Sequence, residues 1–249
     1  MNGPVGRRRF LLATACAGGV AGCSSSRSAG PRSNETPETA NPSAPAAGPS
    51  VSVALQYVRR TRDDRVPEVL ASDGGQYVVV TFADPSVAAT DVAVRVDGTE
   101  YTNSFTATVD RGVDIGFESP RDVAAENGAV LVGGEPYPLS RDVLDRLANP
   151  PRFTDVSFDA RAEVRPGGLV GLDVRVWNRG GPGTFAGVFG VPDAPPTVFS
   201  ERVDSGTFAG YAEHVTIAAN AAPGDRTAVF DTGFERYTVP FTVVEPDTK

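Results

Sequence analysis

His214 is the one histidine of this 249-residue chain, and Cys16 and Cys23 are its two cysteines. A single imidazole excludes a multi-histidine metal site. Alternation along "YAEHVTI" places His214 on the face opposite Val215 and Ile217, outward rather than in the desolvated position a general base needs. No GxSxG elbow or P-loop occurs, and "GGPG" and "GVFG" fall at turns and strand ends. Carboxylate chemistry remains. Asp63 and Asp64 are the residue types of a glycosidase pair, but they lie in "RRTRDDR", whose arginines mark a solvated loop. Asp84, Asp91, Asp110 and Asp114 offer oxygen ligands for Ca²⁺ without the spacing of an EF-hand. The expectation is no catalytic residue, no cofactor and no metal. A hydrolase acting on envelope or extracellular polymer through carboxylates alone is the alternative.

The cysteines belong to a different device. Arg7, Arg8 and Arg9 precede an apolar run over residues 10–22, shorter than the roughly 20 residues that cross a hydrocarbon core and without amphipathic period. That is the form of a removable signal peptide. Arg7-Arg8-x-Phe10-Leu11 resembles the twin-arginine export signal, whose passengers cross the membrane folded. Val20-Ala21-Gly22-Cys23 resembles the lipobox of prokaryotic lipoproteins. The resemblance implies cleavage after Gly22, a lipid on the Cys23 thiol and anchoring at the outer face of the cytoplasmic membrane. Cys16 would leave with the signal. The mature chain would then hold no thiol for a disulfide, a zinc site or a nucleophile.

Charge narrows the partners. Lysine and arginine total 23 against 31 acids, a formal net charge of −8, and loss of three arginines with residues 1–22 makes it −11. A polyanion disfavours nucleic acid and anionic headgroups, which bind by neutralisation with Lys and Arg. Lys249 is the only lysine. Arginine without lysine, together with abundant Asp, Ala, Val and Gly, resembles the composition of proteins from halophilic archaea. Molar salt shortens the Debye length to about 3 Å and screens repulsion among surface carboxylates. GC-rich coding also favours Arg over Lys, and the two accounts are compatible.

Four segments follow from the patterning. Residues 1–22 are the signal and residues 23–50, "CSSSRSAGPRSNETPETANPSAPAAGPS", a lipid-anchored disordered tether with almost no large apolar side chain to offset its ordering entropy. Asn34 opens the sequon Asn34-Glu35-Thr36 there, a glycosylation acceptor or an unused tripeptide. Residues 51–149 predict a β-sandwich-like domain: an inner strand over 78–82, a hairpin with Val92, Val94 and Val96 on one face around Asp97-Gly98, and strands over 113–117 and 129–132. A short helix over 140–148 follows, capped by Ser140, presenting Val143, Leu144 and Leu147 and stopped by Asn149-Pro150-Pro151. Residues 152–246 predict seven strands over 153–158, 169–178, 184–191, 197–203, 211–218, 226–231 and 236–244, an immunoglobulin-like sandwich. Leu172, Val174, Val176, Val215, Ile217, Val239, Phe241 and Val243 face inward, and Trp177 is left partly exposed. The fold class is mainly β, two sandwiches with a short helix at their boundary.

Within the last segment, Pro166-Gly167, Val174, Val176, Asn178, Gly180 and Gly206 match positions of a Pro-Gly turn, a V-x-V-x-V-x-N-x-G strand and a glycine before the next long strand. In these positions the segment resembles the CARDB group of cell-adhesion-related, immunoglobulin-like domains. The whole chain resembles surface lipoproteins of halophilic archaea to which no activity attaches. With no catalytic set in the sequence, the expectation is a binding or structural module, held by its lipid and facing an envelope protein or extracellular ligand.

Overall fold

The structure is a computed structural model and describes residues 48–59, 67–109, 112–192 and 194–245. Residues from Ala47 onward form one compact unit. It is mainly β, two sandwiches with one short helix.

The first sandwich holds β1 (Ser50–Ala54), β4 (Gly75–Phe82), β8 (Gly112–Pro120) and β7 (Asn103–Val109) in one sheet, in that spatial order. The facing sheet runs β10 (Glu135–Pro138), β9 (Gly128–Val132), β5 (Val92–Val96) and β6 (Thr99–Tyr101). The apolar run of the sequence makes β4 an inner strand with two buried faces. Val78, Val80 and Phe82 meet Ile115 and Phe117 of β8 and Val92, Val94 and Val96 of β5 in one core. Its other residues, Tyr77 and Val79, pack with Phe105 beneath Tyr57 and Leu70 of a separate hairpin, β2 (Gln56–Arg59) and β3 (Glu68–Ala71). Asp97 at φ 45° and Gly98 at φ 82° give the β5–β6 hairpin its tight turn.

Helix α1 (Arg141–Ala148) closes this core with Val143, Leu144 and Leu147. The Ser140 hydroxyl accepts the Val143 N–H at 3.3 Å, satisfying one of the donors a helix start leaves open. At the other end the buried Gln76 amide donates to the Leu147 carbonyl at 2.9 Å. That contact ties the helix end to β4.

The second sandwich sets β11 (Phe153–Ala160), β13 (Leu169–Asn178) and β16 (Thr207–Thr216) against a sheet ordered β12 (Glu163–Val164), β18 (Arg236–Val243), β17 (Gly224–Asp231), β14 (Gly183–Gly190) and β15 (Thr197–Val203). This is immunoglobulin-like, with β15 beside β14 instead of in the three-stranded sheet. The core has no sulfur bridge to lean on and is filled by phenylalanines: Phe189 stacks on Phe230 at 4.6 Å, and Phe199 meets Phe230 edge-on at 5.9 Å. Leu172, Val174, Val176, Val215, Ile217, Phe241 and Val243 are buried and Val239 packs against them half-buried, while Trp177 is half-exposed, as their parity predicts. Strand β16 begins at Thr207, four residues before the predicted start at 211, because its pairing with β13 runs unbroken to Phe208 opposite Trp177 and Thr207 opposite Asn178. The turn glycine Gly206 ends the previous element, and nothing in "TFAG" interrupts the ladder.

The connection between the sandwiches is held by Asn178, which is fully buried. Its Oδ1 accepts the N–H of Arg152 at 2.9 Å and of Gly180 at 3.1 Å, and its Nδ2 donates to the carbonyls of Gly181 at 2.7 Å and Val203 at 3.1 Å. The prolines therefore lie directly on "RGGPG". A Cβ on Gly180 would collide with the Pro150 carbonyl oxygen, and one on Gly181 with that of Asn149. Asn178 and Gly180 are the residues that this close approach requires.

Candidate ligand site at the junction of the two sandwiches

Gln56 begins the junction. Its amide is buried and donates to the carbonyls of Ala186 at 2.8 Å and Thr232 at 2.7 Å, while its Oε1 accepts the Ala186 N–H at 3.0 Å. Strand β14 pairs with β17 over Val188–Gly190, and at Ala186 the partner strand has already turned away. The glutamine side chain occupies the place of the missing ladder. The turn that leaves β17 is fixed by Thr232, whose hydroxyl accepts the Glu235 N–H at 3.0 Å and donates to the Glu235 carbonyl at 2.9 Å. That turn carries Phe234 and Glu235 toward the first sandwich.

Arg121, just after β8, meets them. Its Nε donates to the Gly75 carbonyl at 2.9 Å and its Nη2 to that of Ser72 at 3.2 Å, and its guanidinium lies over the Phe234 ring at 5.3 Å. Arg152 arrives from the linker, its backbone N–H held by Asn178 and its guanidinium without a hydrogen bond or ion pair among the described residues. Phe153 follows and packs edge-on against the buried Phe185 at 5.1 Å. Tyr237 donates to Glu235 Oε2 at 2.7 Å; burial first, then that carboxylate, pushes its phenol above the ordinary tyrosine value. These side chains line a half-open cavity of about 170 Å³, with Arg152, Phe234 and Glu235 exposed at its mouth.

A second concavity, about 890 Å³ and more open, runs along the outer side of β14, β17 and β18 beside the hairpin β2–β3. Val188, Val229 and Val69 form its floor, and the Arg59–Glu68 ion pair, Asp231 and Arg236 its rim. On the three-stranded sheet, Trp177 and Phe208 stand side by side at 6.0 Å, with Phe208 52% exposed. Arg179 covers Trp177 at 5.4 Å and pairs with Asp155 at 2.9 Å. Asp155 has φ 52° in the irregular stretch of β11, and hydrogen bonds from Arg179 and then Thr154 hold its carboxyl below the usual range.

The residues singled out from sequence are dispersed. His214 is exposed on β16, opposite Gly171 of β13. Asp84 accepts the hydroxyl and N–H of Ser86 within its own turn, which lowers its titration. Asp91 ends a short 3-10 turn, and Asp114 accepts the Tyr57 and Thr81 hydroxyls at 2.7 Å each. Among the described residues no three His, Cys, Asp or Glu side chains stand close enough to hold a metal ion, and no helix is long and apolar enough to cross a membrane. Arg7, Arg8, Phe10, Leu11, Val20, Ala21, Gly22, Cys23, Asn34, Asp63, Asp64 and Asp110 lie outside the described residues. Sequence reasoning passed over Gln56, Arg121, Arg152 and Phe234. An arginine directly after a double proline was the one local signal available. No protein-family model matches the chain, and no curated protein matches it.

Proposed function

We propose that the chain is a lipid-anchored binding module: exported folded by the signal at Arg7, Arg8, Phe10 and Leu11, cut after Gly22, and held at the outer face of the cytoplasmic membrane by a lipid on Cys23. The stretch from residue 23 up to the compact unit tethers the two sandwiches away from the bilayer, with a random-coil reach on the order of 30 Å. The observation that carries the binding reading is the junction cavity, where two arginines and several aromatic rings converge. Junctions between folded units are where small-ligand sites concentrate. The likeness of the second sandwich to the CARDB group points the same way, toward recognition rather than turnover.

The anchor is tested with the full chain in cells that use the twin-arginine route. Wild-type protein is expected in the membrane fraction and cleaved by protease added outside intact cells. Cys23→Ser is expected in the medium, or unprocessed, because beyond the thioether-linked lipid on Cys23 no segment of the processed sequence is apolar enough to hold it. Normal processing with unchanged membrane retention of Cys23→Ser refutes the anchor.

A further inference from the structure

We infer that the junction cavity is a binding site for a small aromatic monocarboxylate; this deepens the binding reading above and names its ligand class. Size comes first. An apolar cavity of about 150 Å³ accepts one benzene ring, and drug-sized ligands need roughly 300 Å³ or more. At about 170 Å³ the junction takes a single ring with one small substituent.

Charge selects the substituent. The ionisable groups lining the cavity besides the Tyr237 phenol are Arg121, Arg152 and Glu235, one net positive charge inside a chain of net −8. Glu235 already accepts the Tyr237 hydroxyl, which shields the negative end. Arg121 is fixed by two backbone carbonyls and still has N–H groups to offer. Arg152 has no partner of its own among the described residues. A guanidinium held on one side and unpaired on the other is a fork for a carboxylate.

The rings select the body. Phe153, Phe234 and Tyr237 line the same space, and Phe234 is 42% exposed, a large apolar side chain left at the mouth. A flat ring entering there covers Phe234 and gains offset or edge-on contacts with the others. A ligand of about nine non-hydrogen atoms then reaches a dissociation constant on the order of 1 mM or tighter.

The test is calorimetric titration of the purified full chain with benzoate, its neutral near-isostere benzamide, and acetate, all at one fixed NaCl concentration. Benzoate is expected to bind saturably with one site, benzamide at least about tenfold more weakly, and acetate more weakly still. Arg152→Gln is expected to weaken benzoate about ten- to a hundredfold, the range for a charged hydrogen-bonded pair, and to leave benzamide unchanged. Its melting temperature should match wild type, because the exposed Arg152 guanidinium makes no hydrogen bond or ion pair among the described residues. Arg175→Gln, on the far face, should bind benzoate as wild type does. No saturable benzoate binding up to about 10 mM, equal affinity for benzoate and benzamide, or an unchanged affinity in Arg152→Gln overturns the assignment. Such a failure, with wild-type protein still membrane-held and Cys23→Ser released, sinks this ligand and leaves the tethered module standing.

Discussion

Replacing Gln56 with methionine keeps the side-chain volume and removes the amide. Three backbone groups then lose their partners: the Ala186 N–H, the Ala186 carbonyl and the Thr232 carbonyl. Ala186 and Thr232 are both buried, so water reaches these groups poorly. An orphaned buried backbone group costs about 1 to 3 kcal/mol, and the methionine recovers less than about 1 kcal/mol by apolar burial. The expected loss is about 2 to 9 kcal/mol, a large part of the roughly 5 to 15 kcal/mol that a folded domain has.

Where the loss falls is as informative as its size. Trp177 is the only tryptophan and lies in the second sandwich, whereas far-UV circular dichroism reports both sandwiches. In urea the two signals should change together in the wild type. In Gln56→Met the fluorescence transition should come at lower urea, separated from the remaining dichroism change, because the edge of β14 at Ala186 has lost its cover while the core of the first sandwich is intact. Residues 152–246 expressed alone should fold with one cooperative transition near that of the variant's second sandwich, since the fragment has its own phenylalanine core and lacks the same three hydrogen bonds. A loss under about 1 kcal/mol with coincident transitions refutes the reasoning and shows that water replaces the amide.

Two further outcomes are expected. Burial, then the Asp114 carboxylate, raises the Tyr57 phenol above its ordinary value of 10.0, so its contribution is complete below about pH 10 and is lost as pH rises, when the unfolded chain ionises first. Melting temperatures measured from pH 8 to 11 should fall less steeply above pH 10 in Tyr57→Phe than in wild type, and parallel curves would remove Tyr57 from the account. Asp159 and Asp173 are direct cross-strand partners and both are exposed, a like-charge pair worth about 0.2 to 1 kcal/mol. Asp159→Asn should lessen the drop in melting temperature between about 1 M and 0.1 M NaCl, where the Debye length grows from about 3 to about 10 Å, whereas sucrose should help both proteins alike. Equal NaCl dependence would show that carboxylate repulsion does not set the salt requirement.

Elements whose information is local were legible. Val92, Val94 and Val96 alternate around Asp97-Gly98, and β5 with its hairpin follows directly. Ser140 with Val143, Leu144 and Leu147 specifies α1 because a cap and an apolar stripe are written within nine residues. The hairpin β2–β3 was not legible. Its strands are four residues each, they flank the arginine-rich run, and their apolar residues Tyr57 and Leu70 cover the outer side of β4. A strand buried on both faces has no alternation to announce a second layer. Strand β7 was hidden for a related reason: Phe105 fills the space above Gly116 of β8, a fit visible only once the two strands are paired.

The candidate site was illegible because no part of it is local. Gln56 bonds to residues 130 and 176 positions away, and Arg121 reaches Phe234 across most of the second sandwich's sequence. In sequence, Gln56 is a polar residue in a weak strand, Arg121 follows a strand end, and Arg152 follows two prolines. Each has a bland local reading. What brings them together is the way the sandwiches are fastened: Asn178 pins the linker and so places Arg152 and Phe153, while Gln56 pins the end of β14 and the Thr232 turn and so places Phe234 and Glu235. The hydrogen bonds that join the sandwiches are thus the ones that shape the cavity. If the cavity binds a ligand, the ligand also bridges the two sandwiches, and saturation should raise the urea midpoint of wild type more than that of Gln56→Met, whose cavity wall is no longer held.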